Sequence, residues 1–447
     1  MTSCSCHEEQ FMRPMMGDFC RRDFLRIGAV GGLSMAEFLR LQDAAAASAP
    51  KRDVNCIFIF LIGGMSHHDM WDPKPTAPAE IRGDFATAST AIPSVRFTDV
   101  MPGLCKVADQ LAVLRSLTHG DSDHGRGYHV MMTGCAPGPG DFNGTKNNNT
   151  HPSLGSLVSR LGGGSAALPP YISVPCFLRS GGPAFLGASH APFVIEADPA
   201  APEFAVRDIA LPAGVVSERG LRRQEALRAV NQFERQVEAT AKDVRSLDTF
   251  YQKAYRLMTS PEAKAAFAID REKDSLRQAY GMTSLGQCCL LGRRLVEAGC
   301  RFVSIEHGHW DTHRENTRSL RDLLVPSVDR AVPALINDLK ERGLLDSTLV
   351  VLTTEFGRTP RINVMAGRDH WPNAFSIMLA GGGLKKGIVI GATDKLGAHV
   401  TDRPITAPDM SATVLAALGI KPETMLATPL GRPVEAACGG KVVSEVF

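Results

Sequence analysis

The chain first lacks a surplus of charge of either sign. Its 447 residues carry 49 Lys and Arg against 47 Asp and Glu, a formal balance of +2, so there is no basic footprint for nucleic acid. Long apolar runs are also missing, and no uninterrupted stretch approaches the length of a membrane span. The 11 cysteines include no Cys-x-x-Cys pair and no zinc-ribbon spacing, which argues against a cysteine metal centre. Cys4, Cys6 and Cys20 lie ahead of an export signal and would be lost with it. The others are scattered, with Cys288 and Cys289 adjacent. An exported chain could form a disulfide, but the spacing leaves its partners open. What is present is ordinary globular composition, 44% hydrophobic and 21% charged, with ample chain for a large core.

Residues 1–50 read as a targeting segment. Arg21-Arg22-Asp23-Phe24-Leu25-Arg26 matches a twin-arginine signal, a moderately apolar stretch runs from Ile27 to Leu41, and Ala44 to Ala49 form a small-residue cleavage region. The expected partner is the twin-arginine export machinery, and the expected location is periplasmic or extracellular. That route moves folded proteins, so a metal could be loaded before export.

Beyond this segment, four apolar runs empty into His, Asp and Glu. Val54 to Ile62 ends at Gly63-Gly64 and is followed by His67, Asp69 and Asp72. Leu111 to Leu117 leads into Ser122, His124, Arg126 and His129. Phe302 to Ile305 leads into Glu306, His307, His309, Asp311 and His313. Thr348 to Leu352 leads into Glu355 and Arg358, with Asp369 and His370 further on. Each run reads as a buried strand. Open α/β sheets place their sites at strand C-terminal ends. One such exit is an ordinary polar loop; several together point to one shared metal site. Carboxylate oxygen and imidazole nitrogen suit zinc, manganese, iron or calcium-like ions more than copper(I).

Further strands are expected at Tyr171–Val174, Ser376–Leu379 and, at an edge, Ile388–Ile390. Helices are expected over 153–161, Ser284–Ala298, Leu320–Arg342 with Pro326 and Pro333 bending it, and Pro408–Leu418. From Arg219 to about Gly281, apolar residues recur at helical spacing, which predicts a helical insertion covering one side of the site.

The motifs Gly63-Gly64-x-Ser66-His67, Asp72-Pro73-Lys74-Pro75, Trp310-Asp311-x-His313, Glu355-Phe356-Gly357-Arg358-Thr359 and Gly367-Arg368-Asp369-His370 together resemble a domain-of-unknown-function family. That family is exported by twin-arginine signals, is sulfatase-like and belongs to the alkaline phosphatase superfamily. The resemblance spans nearly the whole chain. It implies an α/β fold with a doubly wound, mostly parallel sheet over residues 51–447, and one or two divalent metals at the strand C-termini. By resemblance, Asp311, His313 and His370 are metal ligands. Glu355 stands where the superfamily has Asp-His, with Phe356 in place of the His. His67, Asp69 and Asp72 occupy the region of the first-strand aspartate. The usual nucleophile position falls on His124, and no Cys-x-Pro-x-Arg motif is present.

The first functional expectation is an exported metal-dependent hydrolase of sulfate or phosphate esters, acting on an anionic small-molecule or polysaccharide ester. His67, Asp72, Asp311, His313, Glu355 and His370 are the candidate ligands of a zinc, calcium, manganese or similar divalent ion. His124 and Arg358 are the candidate catalytic groups; Arg358 or Arg126 would clamp the anion through its guanidinium fork. Asp69, Ser122, His129, His309 and Asp369 are supporting or alternative residues, and Ser116 is a further hydroxyl. The second expectation is a degenerate relative, a metal-stabilised binding protein of the cell envelope.

Overall fold

The computed structural model describes residues 53–138, 150–163, 167–206 and 260–447. The signal segment expected over 1–50 and the 219–259 part of the expected helical insertion lie outside the described residues. The insertion's last part forms two short helices, Pro261–Phe267 and Asp274–Tyr280.

The apolar runs do become strands. In chain order they are β1 (Asn55–Leu61), β2 (Leu111–Leu117), β3 (Tyr171–Val174), β4 (Phe193–Val194), β5 (Phe302–His307) and β6 (Thr348–Thr353). A two-residue pair follows, β7 (Gly357–Arg358) and β8 (His370–Trp371), and then β9 (Phe375–Gly381) and β10 (Ile388–Ile390). Eight of them form one sheet in the order β10-β2-β9-β6-β1-β5-β3-β4. Every ladder in it is parallel except the two made by β9. Ile388–Ile390 takes the expected edge position.

Residues along β1 alternate between two cores. Ile57, Ile59 and Leu61 join the layer that holds α2 (Ser284–Glu297) and α3 (Val325–Glu341). Cys56, Phe58 and Phe60 join the layer that holds α1 (His124–Thr133) and α4 (Ala407–Ala417). A strand buried on both faces has no polar side, which is why β1 reads as a continuous apolar run. Helices on both faces make the sheet doubly wound. Of the two prolines expected to bend the long helix, Pro326 lies where a π-type turn, Leu320–Leu324, gives way to α3, and Pro333 lies inside α3.

Two features aim the loops. The antiparallel β9 begins at the edge where the parallel strands end, so the residues just before it arrive there too. β7 and β8 pair with Arg358 opposite His370. Gly63 then lets the β1 exit touch the β5 exit: its φ is +123°, and a Cβ there would stand 2.2 Å from the Asp311 amide nitrogen. A Cβ at Gly367 would fall 1.9 Å from the His313 carbonyl oxygen.

A disulfide joins Cys135, just past α1, to Cys438 in the C-terminal tail. No helix among the described residues is long and apolar enough to cross a membrane.

Candidate metal centre

Three histidines converge on the Asp311 carboxylate. His313 Nε2 and His370 Nε2 lie 3.0 and 3.2 Å from Oδ1, and 3.0 Å from each other. His124 Nε2 approaches Oδ2 at 3.3 Å. Each ring is anchored through Nδ1: His124 by Glu355 Oε1 at 2.7 Å, His313 by Asp369 Oδ1 at 2.6 Å, and His370 by the Ser122 carbonyl at 2.7 Å. Carbonyl and carboxylate oxygens only accept, so each Nδ1 carries a proton and donates it. This is how imidazoles are oriented when Nε2 is to bind a metal.

The elements explain the meeting. Asp311 and His313 come from the β5 exit and His370 from β8. His124 is the first residue of α1, whose N-cap Asp123 accepts from the Arg126 amide. Glu355, wholly buried after β6, accepts from Gly63 N–H at 2.7 Å and from Thr354 Oγ1 at 3.0 Å as well as from His124. Its oxygens are committed to holding the frame. The residue therefore orients His124 rather than standing among the converging ligand atoms.

The charges follow from the same contacts. Burial would raise the Asp311 carboxyl, but the hydrogen bond and charge of Arg358, with His124 and His370 adding to them, hold it at about 2. Burial would lower His124, but the hydrogen bond and charge of Glu355, with those of Asp311, outweigh it and hold the ring above its ordinary value. Burial pushes His370 down. The His313 hydrogen bond holds Asp369 below the usual carboxylate range.

Arg358 takes a different part from the expected anion clamp. Its side chain is fully buried, with Nε donating to the Gly64 carbonyl at 3.0 Å and Nη1 to the Arg368 carbonyl at 2.9 Å. Nη2 donates to Asp311 Oδ1 at 2.5 Å, to the Trp310 carbonyl at 3.2 Å and to the Gly63 carbonyl. All three nitrogens are engaged inside the protein, so Arg358 positions Asp311. Arg126, on the first turn of α1, is partly exposed and paired with Asp121.

Other expected residues lie elsewhere. Asp72 is tied up by Lys74 at 3.0 Å, Arg115 at 3.7 Å and Thr393 at 2.5 Å. His67 is buried, and its Nε2 lies 2.9 Å from the Gly397 carbonyl oxygen. Neither joins the cluster. Asp69 binds Arg368 at 2.8 Å and Asn316 at 2.8 Å. His129 is buried against His151, and His309 is exposed in a left-handed conformation. Ser122 contributes its carbonyl, and the Ser116 hydroxyl donates to the Arg403 carbonyl at 2.5 Å. The sequence reading missed two backbone groups, the Gly63 N–H and the Ser122 carbonyl. Only the Gly63-Gly64 pair hinted at either.

The fit to a divalent ion rests on this geometry. A tetrahedral ion bonded at 2.0–2.1 Å separates its ligands by about 3.3 Å. The His313, His370 and Asp311 triangle, with edges of 3.0, 3.0 and 3.2 Å, matches that to a few tenths. His124, Asp311 and His370 also present ligand atoms within 4.8 Å of one another. Two imidazoles and a carboxylate form a donor set of the zinc or manganese kind.

Fold and geometry define an α/β protein with a histidine–carboxylate centre of metal-ligand type at the sheet's C-terminal edge. The chain belongs to the family described as "Protein of unknown function (DUF1501)", which matches residues 53–447. No curated protein matches the chain. Similar solved structures include a protein in the alkaline phosphatase superfamily from Vibrio parahaemolyticus, 11% identical over 93% of this chain and 79% of that one, with a TM-score of 0.40. Ps i-CgsB in complex with k-i-k-neocarrahexaose is 12% identical over 87% and 74%, at 0.39. The PsFucS1 sulfatase from Pseudoalteromonas sp. is 13% identical over 86% and 72%, at 0.37. At this distance no residue role passes from those proteins to this chain.

Proposed function

We propose that this protein is an exported, metal-dependent hydrolase of sulfate or phosphate esters. The observation that carries the proposal is the convergence of three Nδ1-anchored imidazoles on Asp311. Asp311, His313 and His370 would hold the ion. A zinc-like ion bound there would polarise the ester oxygen and lower the pKa of a bound water. Arg358 keeps Asp311 ionised and aimed. Asp369 and the Ser122 carbonyl fix which nitrogen of each ligand ring faces the centre. His124, backed by Glu355 and raised by it, holds a proton on the side of Oδ2, where it can pass to a leaving oxygen. Arg126, partly exposed on the same helix turn and paired with Asp121, would meet an anionic ester. The disulfide supports an oxidising compartment and hence export, as does the twin-arginine motif at Arg21-Arg22.

One observation favours a second reading, a metal-stabilised binding protein of the cell envelope. Among the described residues, no serine, threonine or cysteine side chain is hydrogen-bonded to Asp311, His313 or His370. On this reading the nucleophile is water, or there is none. Metal analysis of the purified protein, paired with assays on aryl sulfate and aryl phosphate esters, separates the two. Bound metal with ester cleavage lost in His370→Ala supports the hydrolase. Bound metal with no cleavage favours the binding protein, and absence of metal refutes both.

A further inference from the structure

The disulfide is part of a larger cluster at the far end of α1. Cys135 and Cys438 are 303 residues apart in sequence, yet their Cα atoms stand 5.5 Å apart. A ring nitrogen of His151 lies within 4.8 Å of both sulfurs. His151 Nδ1 is 3.1 Å from the Thr150 hydroxyl and 3.4 Å from His129 Nε2, so the ring is oriented by its neighbours. Cys135 is buried, while Cys438 and His151 are half-buried. A cavity of about 490 Å³ reaches this group from solvent, lined by His151 and Cys438 with Glu435 and Arg432 beside them. Two sulfurs and an imidazole are a zinc donor set that leaves a fourth position open.

We infer that Cys135, Cys438 and His151 form a second cation site, open when the disulfide is reduced and closed when it is formed. A dithiol reductant delivers two electrons and two protons to the S–S bond, giving two thiols and its own disulfide. A soft or borderline divalent cation of the zinc class then displaces both thiol protons and binds two thiolates and the imidazole. A disulfide oxidant then takes two electrons from the thiolates and, with two protons from water, leaves as two thiols, while the S–S bond re-forms and the cation is released. The cavity, lined by His151 and Cys438, gives the reductant and the cation their way in. The site is separate from the Asp311 centre, whose ligands are nitrogen and oxygen only. Sequence spacing could not show it, because its ligands share no local motif. If the chain is exported folded, as proposed above, the reduced state comes first, and the cation would tie α1 to the C-terminal tail until the disulfide forms.

Cadmium titration of the full-length, metal-stripped protein tests this, because thiolate-to-cadmium charge transfer absorbs in the ultraviolet and nitrogen or oxygen ligands give no such band. Over the baseline set by the other cysteines of the chain, the phosphine-reduced protein should give an added band with one equivalent of cadmium that the oxidised protein lacks. The added band should vanish in Cys438→Ser, and His151→Ala should weaken cadmium binding by about tenfold or more. Circular dichroism follows the fold in each state. The proposal is overturned if the reduced protein gives no added band, if that band persists in Cys438→Ser, or if reduction alone unfolds the chain. None of these results depends on ester cleavage or on the Asp311 centre.

Discussion

Replacing Arg358 with Met should unfold the region around Asp311 before it affects any substrate. Arg358 is fully buried and serves four carbonyls, those of Gly63, Gly64, Trp310 and Arg368, together with the Asp311 carboxylate. Methionine fills part of the volume but offers no donor. A buried acceptor left without a partner costs about 1–3 kcal/mol, and breaking a buried ion pair costs about 3–5 kcal/mol. Asp311 is 45% exposed, so water screens part of its loss. The carbonyls then carry most of the penalty, and the expected destabilisation is about 3–5 kcal/mol. Arg358→Lys restores a point charge without the fork and should recover about half of it. Urea denaturation reads the stability, and metal titration reads the centre; both should weaken in step across the two variants. A residue that clamped substrate would instead raise KM and leave stability within about 0.5 kcal/mol. A loss under about 1 kcal/mol with unchanged metal affinity would refute the reasoning.

Other outcomes follow from the same contacts. Asp311→Asn and His370→Ala should each lower metal affinity by at least about a hundredfold, read by competition with a chromogenic chelator, whereas Asp72→Asn should leave metal stoichiometry unchanged. Burial raises Asp72, but Lys74, Arg115 and Thr393 outweigh it and hold its carboxyl below the ordinary value. Its stabilisation is therefore present above about pH 4 and lost as pH falls through the lowered value, so Asp72→Asn should match wild type in strong acid and fall behind it by about 1–3 kcal/mol near neutrality, measured by denaturation at both pH values. Glu355→Gln should bring His124 back toward its ordinary range, seen in the ring's NMR titration, because the carboxylate that raises it is gone. Reducing Cys135–Cys438 should cost about 2–4 kcal/mol of stability while leaving the chain folded, read by thermal denaturation with and without phosphine.

Much of this architecture is legible in order along the chain. β1, β2, β5 and β6 announce themselves as apolar runs because both faces of each strand are buried, and a residue buried on both faces has no polar alternation to blur the pattern. Their exits could be read as ligand-rich because a strand's end is where an apolar run must stop. For this reason Asp311 and His313 stand out from sequence alone.

What the sequence could not decide is which of those ligands meet. Glu355, His67 and Asp72 carry the same atoms as the residues that converge on Asp311, yet the fold turns them to orienting His124, to the Gly397 carbonyl and to a buried ion pair. Arg358 has the chemistry of an anion clamp, and only its burial among four carbonyls turns it inward. His370 reaches the centre because β9 alone runs antiparallel and starts at the edge where the others finish. The Cys135–Cys438 bond spans 303 residues. Sequence determined the strands and the kinds of ligand at their ends, because burial and residue chemistry are local. Tertiary structure alone decided the partners, because strand direction, loop approach through Gly63 and the acceptor behind each imidazole are set by chain segments far apart.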